Sequence, residues 1–369
     1  MLKKLLALLL CAVLAFALVA CTETGTPGTD TGAGNTEQGS DNSGAGGSSD
    51  APAVDLGGYD EDMDHVFLAT DIKNHAIVIF DLSLSSEEGF ADLKDCVVWE
   101  WDSDEDSNCK GNPGAGLDAA KLRYSPYYEK DVIIACSSGG WAGVIDYKAR
   151  TVLWEWAPGS GNFHSIEMMP NGDVVIAGSS DDGRIYYVPL SAGETKPCHT
   201  IDSPHGHGVM WDPQNEWLWV LDYDEVYACT VSGTGKDTKL ARISGYEAPF
   251  DKNPDGHVLS PVYGEPGKYW VTSSARMYQF DAETVELSPA SSAYNDKTVK
   301  GIAYFPDKTM VMSVAGSGDH TYDWSCGEIR IVLMVPSEGK VTTLVPRKYN
   351  IAVEGREFYK VHPLTKDYQ

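Results

Sequence analysis

The sequence predicts an all-β chain, a six-bladed β-propeller whose ring is closed by the C-terminal strand pairing into the first blade. Three observations predict it. From Gly57 to Gln369, short runs of Val, Ile, Tyr, Trp and Phe are punctuated by Gly, Asn, Asp and Pro, and no segment keeps a helical period over three turns. One scheme recurs along that stretch: a short strand ending near Pro, a turn, a very apolar strand, then another strand. The span divides into six units of about 52 residues, the size of a four-stranded blade with its loops.

The first unit is split. Residues 66–70, 76–81 and 97–101 supply three strands, and Phe358-Tyr-Lys-Val-His-Pro363 supplies the missing inner one, which leaves no free sheet edge. The second unit reads Lys121-Leu-Arg-Tyr-Ser-Pro126, then Asp131 to Ser137. The third reads His164-Ser-Ile-Glu-Met-Met-Pro170, then Asp173 to Gly178; the fourth, His207-Gly-Val-Met-Trp-Asp-Pro213, then Trp217 to Asp222. The fifth runs from His257 to Tyr263 and on to Tyr269–Ser274, and the sixth is Lys300-Gly-Ile-Ala-Tyr-Phe-Pro306 followed by Thr309 to Ala315. Outer strands repeat as Val97-Val-Trp-Glu-Trp101 and Val152-Leu-Trp-Glu-Trp156. Their Trp99, Trp101, Trp154 and Trp156 are suited to packing between neighbouring blades.

Ahead of the propeller, residues 1–20 read as an export signal. Lys3 and Lys4 precede an apolar stretch from Leu5 to Ala20 that is too short to span a bilayer and ends in small residues, as a cleavable signal does. Leu18-Val-Ala-Cys21 resembles the bacterial lipobox, which implies a diacylated Cys21 and anchoring on the extracytoplasmic face of the cell membrane. Residues 21–56 complete the approach to the propeller. Within them, 22–53 hold no aromatic, Val, Ile, Leu, Met, Lys or Arg, so they cannot offset their ordering entropy. They predict a disordered tether with a reach on the order of 30 Å.

Charge narrows the partners. With +2 on the signal and −6 on residues 22–56, the propeller carries −22 of the total −26. Such a body repels nucleic acid and anionic membrane surfaces alike. Of eight cysteines, Cys11 and Cys21 belong to the signal; the other six are scattered, with no C-x-x-C, and several sit in apolar runs that suit buried free thiols.

In a propeller, the residues opening the inner strands ring the central channel on one face. Aligned on the turn prolines, these are Lys121, His164, His207, His257, Lys300 and, in the split blade, Glu357 beside Arg356. Three are His, from nine in the chain. The same face receives Asp71, Ser138, Trp141, Ser179, Asp222, Ser273 and Ser274, and the long loop with Asp319, His320 and Trp324. This composition fits a polar cup with aromatic walls. His205 and His207, two apart, would share a side in an extended strand, and with His164 and His257 they would offer nitrogen ligands for Zn, Mn or Fe. Alternatively the His, Lys121, Lys300 and Arg356 hold an anionic ligand, or each His caps its strand. Asp102 to Asn108 begins like a calcium loop but has Ser107 for the required Gly. Gly233-Thr-Gly-Lys236 lacks the Ser/Thr of a phosphate loop.

His164-Ser-Ile-Glu with Pro170-Asn-Gly, His207-Gly-Val-Met-Trp-Asp, Gly256-His257 and Val299-Lys300 resemble a bacterial six-bladed propeller family, domain of unknown function 6528, over roughly residues 63 to 363. The resemblance implies the fold and no activity. Pro204-His-Gly-His207 is similar to an arrangement in the seven-bladed oligogalacturonate-lyase propellers, where clustered His hold a divalent metal. Three functions follow as expectations. The first is a membrane-anchored propeller binding a small or oligomeric ligand, such as a glycan fragment, in the cup. The second is a metal-dependent lyase or hydrolase acting on acidic sugars at His164, His205, His207 and His257. The third is a protein-interaction scaffold with a plugged cup.

Overall fold

The computed structural model describes residues 65–85, 93–180, 182–337 and 340–369. The expected export signal, the expected lipidation at Cys21 and the expected linker lie outside the described residues. Six four-stranded antiparallel sheets form the ring. The first has the order Phe358–Pro363, Val66–Asp71, Ala76–Asp81, Val97–Asp102, so the closing strand is the one its sequence indicates. The other five follow chain order from the inside outward.

Period-two alternation explains how each blade is held. In Ala76–Asp81, Ile77 and Ile79 pack toward the second blade with Trp99 and Trp101, while Val78 and Phe80 pack toward the sixth. Every junction between successive blades carries such a buried cluster. The outer-strand tryptophans serve these junctions. Trp99 stacks on Tyr147 at 5.5 Å between centroids, and Trp156 stacks on Phe163 of the next blade at 5.3 Å. Cys136, Cys229 and Cys326 are buried free thiols, Cys96 is buried, and Cys109 and Cys198 are half-buried and also free.

One irregularity recurs and sets up the functional face. Near their starts, five of the six inner strands insert one extra residue relative to their partners. The register skips Asp118 in Leu117–Ser125, His164 in Phe163–Met168, His257 in Gly256–Pro261 and Lys300 in Val299–Tyr304. In Phe358–Pro363, Tyr359 and Lys360 together oppose Thr70. In the fourth blade, His207 stands just ahead of Gly208–Asp212 and donates its amide to Leu221, the residue that also pairs with Gly208. Such bulges re-aim side chains, and here they aim them at one mouth of the channel.

The other mouth is covered. Residues that follow Phe358–Pro363 cross beneath the ring. Arg123 donates to the Thr365 carbonyl and lies 4.9 Å over the Tyr368 ring, Tyr368 donates to the Met168 carbonyl, and Tyr263 donates to the Asp367 carbonyl. Just above them, Glu167 accepts from Arg123 at 2.7 Å and Lys121 at 3.0 Å, fully buried. Between this cluster and the open mouth remains a void of only about 30 Å³.

Candidate functional site

The open mouth is a cup of about 340 Å³ lined by Asp118, Ser138, Asn162, His164, His207, His257, Lys300, Trp324 and Tyr359. Most are the bulged residues of the inner strands, so backbone register, not loop conformation, places them. The backbone before the bulges is strained: Asn162, Asp255 and Thr298 each have positive φ two residues ahead of His164, His257 and Lys300. Asn and Asp tolerate that region, whereas β-branched Thr298 at +55° is costly and persists where the surrounding structure demands it.

Three imidazoles form the floor. His164 and His207 stack at 4.4 Å between centroids, and His207 meets His257 edge-on at 5.1 Å. Burial, reinforced by neighbouring His and Lys, pushes His164 well below the usual histidine range and His207 down to about 3. Burial also lowers His257, against the opposing pull of Asp255. All three are therefore neutral at pH 7. His207 Nδ1 lies 2.9 Å from the His205 carbonyl and 3.2 Å from Ser179 Oγ, which orients the ring. His257 Nε2 lies 3.1 Å from Ser274 Oγ, which in turn donates to Asp255.

One ammonium group completes the floor and a second lies just beneath it. Lys300 Nζ lies 2.7 Å from His257 Nε2, and Lys360 Nζ donates to the carbonyls of His164 at 2.6 Å and His207 at 3.3 Å. Among the described residues, neither contacts a carboxylate within 4 Å. Burial lowers Lys300 to about 8, and it lowers Lys360 as well. Burial raises the Asp118 carboxyl, against the pull of Lys360. Its Oδ2 is buried without a hydrogen-bond partner. Protonated, Asp118 is a donor at the cup wall and not a repelling charge.

Of the residues expected here, His164, His207, His257, Lys300, Ser138 and Trp324 come together. Lys121 does not. It sits mid-channel, where Glu167 and the Val209 carbonyl occupy it, and the second blade presents Asp118 instead. Arg356 is also displaced: its guanidinium forks onto Glu100 at 2.9 Å and reaches Asp71 at 3.0 Å. Glu357 is buried and faces the loop after Met310–Val314, accepting from the Thr321 and Tyr322 amides and from Ser325 Oγ. Tyr359 and Lys360 take the place expected of Arg356 and Glu357. Trp141 packs between blades against Trp101, Asp222 caps the His205 amide, and His320 is exposed beside the Gly318 carbonyl.

The four-histidine metal site is not formed. His205 lies outside a regular strand, joined to Ser179 by one isolated bridge, so strand periodicity does not carry its side chain beside His207. It packs on Tyr223 instead, at 5.2 Å. Among the described residues, no three His, Cys, Asp or Glu side chains are grouped to hold one metal ion.

Comparison with known proteins adds a family. A family described as "Family of unknown function (DUF6528)" matches residues 63–322. No curated protein matches the chain. A protein of unknown function from Bacteroides caccae is similar at 12% identity and a TM-score of 0.46, over 82% of this chain and 99% of that one. A functionally unknown protein from Desulfotomaculum acetoxidans is similar at 10% identity and a TM-score of 0.45, over 77% and 78%. The propeller domain of Myceliophteria thermophila Cps50 (Swd1) is similar at 11% identity and a TM-score of 0.40, over 63% and 71%. At these scores none bears on the chemistry of the cup.

Proposed function

The chain belongs to the DUF6528 family of unknown function, and we propose that it captures a small anionic ligand, such as an acidic glycan fragment, in the cup. One observation carries this reading. Lys300 is buried in the cup wall and Lys360 is half-buried at the void just beneath it, both against neutral acceptors and without a carboxylate within 4 Å among the described residues. Asp255 acts on Lys300 and Asp118 on Lys360 only from beyond contact distance, so a ligand that supplies a negative group in direct contact gains from completing the pair. On a body of charge −22, the cup is a local cationic spot that discriminates for anions by contrast. Its open volume favours ligand binding over a plugged scaffold. The absence of a three-ligand cluster among the described residues weighs against the metal-dependent lyase. Lipidation at Cys21, proposed from the sequence, would display this face outside the membrane on its tether.

Calorimetric titration with D-glucuronate and with uncharged D-glucose tests the proposal. The acid should bind and glucose should not. Replacement Lys300→Met should weaken the acid by about 10- to 100-fold, the scale of a charge-assisted hydrogen bond. Equal binding of the two sugars, or no change in the variant, contradicts it.

A further inference from the structure

We propose, resting on that reading of the cup, that the site takes the acidic end of an oligosaccharide end-on, with the adjoining sugar stacked on Trp324 and Tyr322 at the rim. The first support is that the cup is blind. Residues 364–369 cross the far mouth, and the Lys121–Glu167–Arg123 cluster fills the channel above them. A polymer cannot thread through, and the cup accommodates a terminal unit.

The second support is a ladder of rings from rim to floor. Tyr322 and Trp324 stack face to face at 4.8 Å and 8°, and Trp324 meets Tyr359 edge-on at 5.3 Å. Tyr359 is 6.0 Å from His164, which continues to His207 and His257. At the top of this ladder, Tyr322 is 41% and Trp324 37% exposed, so the outer surface of the stacked pair meets solvent beside the opening. The flat, C–H-rich face of a pyranose matches such a platform, while its carboxylate matches the ammonium groups below.

The third support is that the platform is held in place. Glu357 accepts from the Thr321 and Tyr322 amides and from Ser325, anchoring the rim loop to the closing strand. Glu357 is thus a positioning residue, which explains a buried carboxylate that does not face the cup.

Three probes decide the matter by calorimetry on the intact protein: free D-glucuronate, a disaccharide with glucuronate at its end, and a trisaccharide with glucuronate in the middle. The terminal disaccharide should bind at least about fivefold tighter than the free acid, and the internal form should bind at least about tenfold weaker than the disaccharide. Tyr322, which stands at the rim outside the cup lining, is the residue to change: Tyr322→Ala should erase the disaccharide's advantage while leaving the free acid within about twofold, and Tyr322→Phe should restore most of it. Internal and terminal forms binding equally overturns end-on recognition, as does Tyr322→Ala weakening both acids alike. If free glucuronate itself fails to bind, the acid-binding reading falls first and this inference with it.

Discussion

Replacing Glu167 with Gln should destabilise the propeller by about 3–5 kcal/mol, because it strands two buried cations. Both carboxylate oxygens are committed. Oε1 accepts from Arg123 Nε and from the Met168 amide, and Oε2 accepts from Arg123 Nη2 and Lys121 Nζ, with no exposure to water. Arg123 holds Glu167 below its usual range, so the pair is ionised where solvation cannot help. Gln keeps the volume and removes the charge. Urea denaturation reads the effect, and a triple variant with Lys121→Met, Arg123→Leu and Glu167→Leu should recover most of it. A loss under about 1 kcal/mol for Glu167→Gln would mean that the cluster does not depend on the carboxylate.

The second large effect is expected at Gly301, where the ring closes. A Cβ there would stand 2.2 Å from the Val361 amide nitrogen and 2.8 Å from the Lys360 Cα. Both are main-chain atoms of the closing strand, which cannot swing aside as a side chain can. Gly301→Ala should therefore cost about 3 kcal/mol or more by prising the sixth blade from the first. It should also displace Lys360 and weaken acid binding. Gly159→Ala is the contrast. Gly159 has φ of +71° with nothing within 4 Å of a Cβ, so only its dihedral penalty of about 1 kcal/mol applies. Equal losses for the two variants would show that the close approach does not matter.

The fold was legible because alternation and turn chemistry are local signals. Residues 66–70, 76–81 and 97–101 became Val66–Asp71, Ala76–Asp81 and Val97–Asp102, and the closing strand spans Phe358–Pro363 as read. Four of the six opening residues were legible as well, His164, His207, His257 and Lys300. The errors came from the turn proline, which is a poor ruler: it follows His164 by six residues and His257 by four, but Asp118 by eight. The strand's own start is the better ruler. An apolar residue or Gly precedes a polar one in Leu117-Asp118, Phe163-His164, Gly256-His257, Val299-Lys300 and Phe358-Tyr359. That pattern points to Asp118 and Tyr359 directly. Lys360 was hidden by the bulge itself, which places two successive residues opposite Thr70 and breaks the period on which facing is read. His205 misled for the converse reason, since a two-residue spacing means one side only within a regular strand.

The central claim is that the bulged residues converge to hold the negative group of a ligand. A crystal structure of the protein with bound D-glucuronate tests it most directly. The account predicts the sugar carboxylate within hydrogen-bond reach of Lys300 Nζ, above the stacked rings of His164 and His207. A carboxylate bound elsewhere, or turned outward to solvent with the uncharged edge against the lysines, would contradict it.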